Sequence, residues 1–124
     1  MSHFTRVRTQ LRSIEMVKKA LEDLGYHVHE SGMVSGYGQQ QTHADLVVST
    51  DSKYDIGFRR EGDAVVMVAD FWGLHIDRQA FLNQVAQRYA YLTVMEQAQM
   101  QGWTAMSEEL QADGSIKLVM QRWA

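Results

Sequence analysis

Between Asp77 and Gln101 the apolar side chains Phe81, Val85, Tyr89 and Leu92 recur at spacings of four, four and three, with Leu82 widening the stripe and polar residues opposite. That period predicts a helix laid on a core. Asp77 stands where an N-cap is wanted, and Gly102 where a left-handed residue ends a helix. At ~1.5 Å per residue the segment would run about 37 Å, enough to cross the sheet of a small domain, so it is expected to be the cover of that sheet.

The remaining pattern is mostly that of strands. His3 to Thr9 alternates β-branched and aromatic residues with Arg6 and Arg8, predicting an N-terminal strand. Ser13 is placed as an N-cap, Glu15 falls in the first turn, and Ile14, Val17, Leu21 and Leu24 make one stripe before Gly25, which predicts a helix of about three turns. Tyr26 to Glu30 alternates as a second strand would. Gly32 to Gln41, with its glycines and glutamines and no period, reads as a mobile loop. Thr42 to Thr50 and Tyr54 to Arg60 read as strands joined by the turn residues Asp51, Ser52 and Lys53. Ala64 to Phe71 is apolar on both faces until Asp70 and reads as a central strand.

After the long helix, Trp103 to Leu110 and Ser115 to Trp123 flank Ala112, Asp113 and Gly114. A three-residue loop with Gly114 left-handed would set Leu110 opposite Ile116, Glu109 opposite Lys117 and Met106 opposite Met120. The order strand, helix, strand, loop, three strands, helix, two strands is best met by an α+β domain, residues 1–124, with a mostly antiparallel sheet covered by two helices. A helix followed by antiparallel strands occurs in each half, but no residue-level similarity supports a duplication.

Composition narrows the functions. A chain of 124 residues has the length of one domain with a real core. Twelve Lys and Arg against fifteen Asp and Glu give a net charge of -3, so no bulk field draws in nucleic acid. There is no cysteine, which excludes thiolate catalysis, disulfides and cysteine-built metal centres. No apolar run nears the ~20 residues of a membrane span, and MSHFTRVRTQ lacks a signal-like apolar stretch, so a soluble protein is expected.

Candidate chemistry is sparse. His27 and His29 share one face of a strand, as do His43 and Asp45, a ligand set suited to zinc or iron if the strands were neighbours. Without a motif such as HExxH, these residues and His3 and His75 read as surface histidines, and no metal or other cofactor is expected. Asp45, Asp55 and Asp70 each interrupt an apolar strand, where a charge is costly unless something faces it. Arg88 on the polar side of the long helix, or Arg59 or Arg60, could do so. A carboxylate pair with separated pKa values is what acid and base catalysis needs, but structural ion pairing explains the same residues. GxSxG and phosphate-loop signatures are absent, and the GxG of Gly36 to Gly38 lacks its third glycine. Among the aromatics, Trp72 after a strand end and Tyr91 off the main stripe are the candidates for exposure and protein binding.

MSHF at the start, KKALEDLGY from Lys18 to Tyr26, Ala44 and Asp45, YDIGF from Tyr54 to Phe58, QRYAY from Gln87 to Tyr91, DGSI from Asp113 to Ile116 and QRW from Gln121 to Trp123 form a set of blocks along the whole chain. Together they resemble a family of small uncharacterised proteins of cyanobacteria and algal plastid genomes, the one named hypothetical chloroplast open reading frame thirty-five. The resemblance carries no activity, cofactor or catalytic residue. It implies a cyanobacterial cytoplasm or plastid stroma and a supporting role in a photosynthetic cell. The expectation is a non-enzymatic protein-binding module with a protein partner, with self-association through an exposed sheet edge as a further option. The competing expectation is a small ligand-binding domain or enzyme built on Asp45, Asp55 and Arg88.

Overall fold

The computed structural model describes residues 4–122. In chain order they form β1 (Thr5–Arg8), α1 (Ile14–Asp23), β2 (Val28–Ser35), a short 3-10 turn (Tyr37–Gln39), β3 (Gln41–Val48), β4 (Ile56–Glu61), β5 (Ala64–Ala69), α2 (Arg78–Met100), β6 (Trp103–Leu110) and β7 (Ile116–Arg122). The first five strands make one antiparallel sheet in the order β1-β5-β4-β3-β2, and β6 and β7 make a separate hairpin. The α+β class and the two helices are as the pattern predicts.

Local chemistry sets both helices. The Ser13 hydroxyl accepts from the Met16 amide at 3.2 Å, and the Asp77 carboxylate accepts from the Ala80 amide at 3.0 Å, each satisfying a donor left over at a helix start. Gly25 and Gly102 follow the helix ends at φ +94° and +83°, backbone that a side chain would disfavour. The Tyr89 hydroxyl accepts from the Ser13 amide at 3.1 Å, which ties the middle of α2 to the entrance of α1.

Alternation along β3, β4 and β5 builds two apolar faces. Leu46, Val48, Ile56, Phe58, Val65, Met67 and Ala69 point to the helices and pack with Val17, Ala20, Leu21, Phe81 and Val85. On the other face Val47, Gly57 and Val68 lie in register across three strands. No helix covers them. Beyond Leu46 the ladder between β3 and β4 stops, while β2 and β3 stay paired from Val28↔Val48 to Ser35↔Gln41. This free arm of the hairpin folds over the back of the sheet, where Val34, Ala44 and Val47 form a small second core with Phe4 against it. Gly57 makes the fold-over fit: a Cβ there would come within 2.5 Å of Val34 and 2.8 Å of Ala44.

The segment from Gly32 to Gln41, expected as a mobile loop, is therefore strand, a 3-10 turn and the start of another strand. Glycine and glutamine hide the period of two, and only Val34 marks the buried face. β5 is internal to the sheet, as expected, with every residue buried. The expected strand at His3 begins at Thr5, and His3 and Trp123 lie outside the described residues.

The C-terminal turn has Leu110 opposite Ile116 and Glu109 opposite Lys117, with Gly114 at φ +89°, as predicted. Asp113 fixes it by accepting from the Ser115 amide at 3.0 Å and hydroxyl at 2.6 Å, contacts that hold its carboxyl below the ordinary range. Met106 is not opposite Met120: a bulge between Ala105 and Ser107 shifts the register, and Ala105 takes that place.

Candidate functional site

The in-strand aspartates face backbone amides. Asp45 accepts from the Arg60 amide at 2.7 Å, just where the ladder between β3 and β4 has ended, so its carboxylate stands in for a missing strand carbonyl. Asp55 lies immediately before β4 rather than inside a strand. It accepts from the Ser35 amide at 3.0 Å and donates its own amide to the Ser35 carbonyl at 3.2 Å. Asp70, just past β5, is 1% exposed. One of its oxygens accepts from the Tyr37 amide at 2.9 Å and the other from the Trp72 amide at 3.2 Å.

Two of the three aspartates thus hold one object, the tip of the folded arm. Gly36 sits between the gripped residues, where a Cβ would come within 2.8 Å of the Phe4 ring and 3.2 Å of the Asp70 Cβ. A buried carboxylate that accepts two amides meets the requirement that a charge away from water be hydrogen-bonded. The consequence reaches the surface: Tyr37 and Trp72, whose amides share the Asp70 carboxylate, are 50% and 77% exposed. Sequence reasoning picked Trp72 and missed Tyr37, because nothing local says that the glutamine-rich segment returns to the end of β5.

Arg88 is elsewhere. It pairs with Asp23 of α1 at 3.5 Å and lies over the Tyr91 ring, 4.7 Å from its centroid. Tyr91 is half-buried and donates its hydroxyl to the Glu108 carboxylate of β6. That hydrogen bond, with burial behind it, holds the Tyr91 phenol above its ordinary pKa. Asp23, Arg88, Tyr91 and Glu108 form a chain of contacts joining α1, α2 and the hairpin. No cleft gathers Asp45, Asp55 and Asp70 with Arg88.

Among the described residues no three His, Cys, Asp or Glu side chains come together as metal ligands would. His43 instead hydrogen-bonds the Ser31 hydroxyl at 3.2 Å. His27 and His75 stand at the rim of a cleft of about 560 Å³ where the loops after α1, β3 and β5 meet, floored by Val48, Ile56, Leu74 and Phe81. Its lining comes from three distant segments, so no motif could announce it. No helix among the described residues is long and apolar enough to cross a membrane.

With this geometry in view, the sequence comparisons are specific. A family profile described as a protein of unknown function, DUF1257, matches residues 20–119. The chain belongs to that family. It is 36% identical over 126 residues to an "uncharacterized protein ycf35" of Guillardia theta, covering 99% of this chain and 98% of that one. Proteins of the same description from Pyropia yezoensis and Cyanophora paradoxa are each 35% identical over 127 residues, again covering 99% of this chain and 98% of theirs. Membership of the family agrees with the resemblance drawn from KKALEDLGY, YDIGF and QRYAY. No solved structure matches.

Proposed function

We propose that the chain is a non-enzymatic protein-binding module, an assembly or regulatory accessory factor of a photosynthetic cell, working in a cyanobacterial cytoplasm or plastid stroma. The observation that carries this reading is the surface set by Asp70, where one buried carboxylate anchors the backbones of two exposed aromatic residues, Tyr37 and Trp72. Anchoring the backbone lowers the conformational entropy lost on docking, and tyrosine and tryptophan are the side chains that most often dominate a protein interface. Asp45, Asp55 and Asp70 are occupied in holding backbone amides, which supports a structural rather than a catalytic role for these three carboxylates.

The test is affinity purification from native lysate, with mass spectrometry of what is retained. The intact chain is expected to recover a protein partner, and Trp72→Ala to weaken that capture by about 2 kcal/mol or more, as loss of an interface anchor does. No partner above background, or equal capture by Trp72→Ala, overturns the proposal. The cleft under His27 and His75 favours a second reading, a small-ligand domain with an apolar floor and a polar rim. Proton and nitrogen NMR shifts confined to Tyr26, Leu74 and Phe81 in a fragment screen would support it, and their absence would count against it.

A further inference from the structure

A separate surface concerns the C-terminal third. No side chain from Ala86 to Arg122 is buried, yet Val94, Met100, Met106, Leu110 and Val119 are large, apolar and exposed there. The β6–β7 hairpin has α2 on one face and, among the described residues, no third strand. A two-stranded ribbon is marginal in water until another strand or a helix completes it.

The open sheet edges differ in how they are protected. β1 has only four residues and carries Arg6 and Arg8. β2 is broken in conformation by Ser31 at φ +53°, and its far half is folded over the back of the sheet. β6 has the bulge at Ala105 and Ser107, then Glu108 and Glu109. Short length, charge and bulges are the usual means of blocking edge-to-edge pairing. β7 carries the charges Lys117 and Arg122 but has neither the shortness nor a bulge: seven residues without an acid, with Ile116, Leu118, Val119 and Met120 among them.

We propose that two copies of this chain associate through β7, antiparallel, about a two-fold axis at Val119. In that register Val119 faces the partner's Val119, Leu118 the partner's Met120, Lys117 the partner's Gln121 and Ile116 the partner's Arg122. No like charges oppose each other, and all seven residues are paired. A slip in either direction shortens the ladder, and a slip of four toward the turn, which moves the axis to Lys117, sets Lys117 against the partner's Lys117, which like-charge repulsion opposes. The product is a four-stranded sheet with one α2 per copy on the same face, and a symmetric, self-complementary contact is what a closed dimer requires. A shallow groove of about 230 Å³ between Ala90, Tyr91 and Val94 on α2 and Ile116 and Leu118 on β7 lies beside this edge, so the added strand also has apolar surface to cover.

Sedimentation equilibrium and light scattering across micromolar concentrations test the pairing. The intact chain is expected at the mass of two chains. Val119→Lys and Val119→Glu, at an exposed position, are each expected to be monomeric alone and dimeric when mixed. A monomeric intact chain, or a dimer indifferent to both substitutions, overturns the proposal. Should either charged variant lose its circular dichroism, Val119→Cys decides. Antiparallel partners lie about 4.5–5.5 Å apart, within the roughly 4.4–6.8 Å that a disulfide spans, and the chain has no other cysteine. Mild oxidation should link the two copies at Cys-substituted β7, whereas a Met106→Cys chain on β6 should stay unlinked; the opposite pattern overturns the β7 edge. None of these variants touches Tyr37 or Trp72, so capture of a partner protein is scored independently.

Discussion

Asp70 shows how much one carboxylate can organise. Its two oxygens hold the Tyr37 and Trp72 amides at 2.9 and 3.2 Å in a site that is 1% exposed. Asp70→Ala strips both part-buried amides of a charged acceptor, and a hydrogen bond to a charged group contributes about 1.5–3 kcal/mol, so a loss of that order is expected in urea denaturation. Tyr91 gives a different signature. Its folded pKa is raised above the ordinary value of 10.0, first by the hydrogen bond to Glu108. The protonated phenol is therefore the form that the fold favours: the contribution is fully present below about pH 10 and is lost as pH rises through the raised value. Unfolding midpoints measured from about pH 8 to pH 11 should fall more steeply for the intact chain than for Tyr91→Phe. The sequence showed that Asp45, Asp55 and Asp70 needed something to face them. It could not show that the partners were backbone amides, because the Ser35, Tyr37 and Arg60 amides carry no residue signature.

The elements were legible in proportion to their periodicity. α2 was found to within a residue because its stripe and both caps, Asp77 and Gly102, are local. The hairpin turn was legible from Asp113 and Gly114, whereas the bulge beside Met106 was not: no glycine or turn residue marks it in the sequence. The arm of β2 and β3 was missed because its packing partners, Gly57, Asp55 and Asp70, lie elsewhere in the chain and its own glycines carry no period. Burial then ranks the elements by local stability. β3, β4 and β5 hold most of the buried side chains, while β6 and β7 hold none. Amides of β6 and β7 are accordingly expected to exchange with deuterium well before those of β4 and β5, at a rate that slows with protein concentration if β7 is covered by its twin.

At the scale of the molecule, α2 spans about 35 Å at ~1.5 Å per residue and touches two unequal bodies. Its first turns put Phe81 and Val85 into the main core, and its later turns support the hairpin. The three candidate regions are correspondingly spread: the Tyr37 and Trp72 surface over the back of the sheet, the cleft at the N-terminal end of α2, and the β7 edge beside its later turns. The arm over the back of the sheet has a consequence in time. Its fastenings join residues 20 and 33 positions apart, Asp55 to Ser35 and Asp70 to Tyr37, and they need β4, which Asp55 precedes, and β5, which Asp70 follows, to be in place. Closure is therefore expected late on the folding route, after the long-range strand pairing of the main sheet. Stopped-flow kinetics of Val34→Ala should show a refolding limb close to that of the intact chain and a faster unfolding limb, the mark of contacts formed downstream of the barrier and the first to open on the way back.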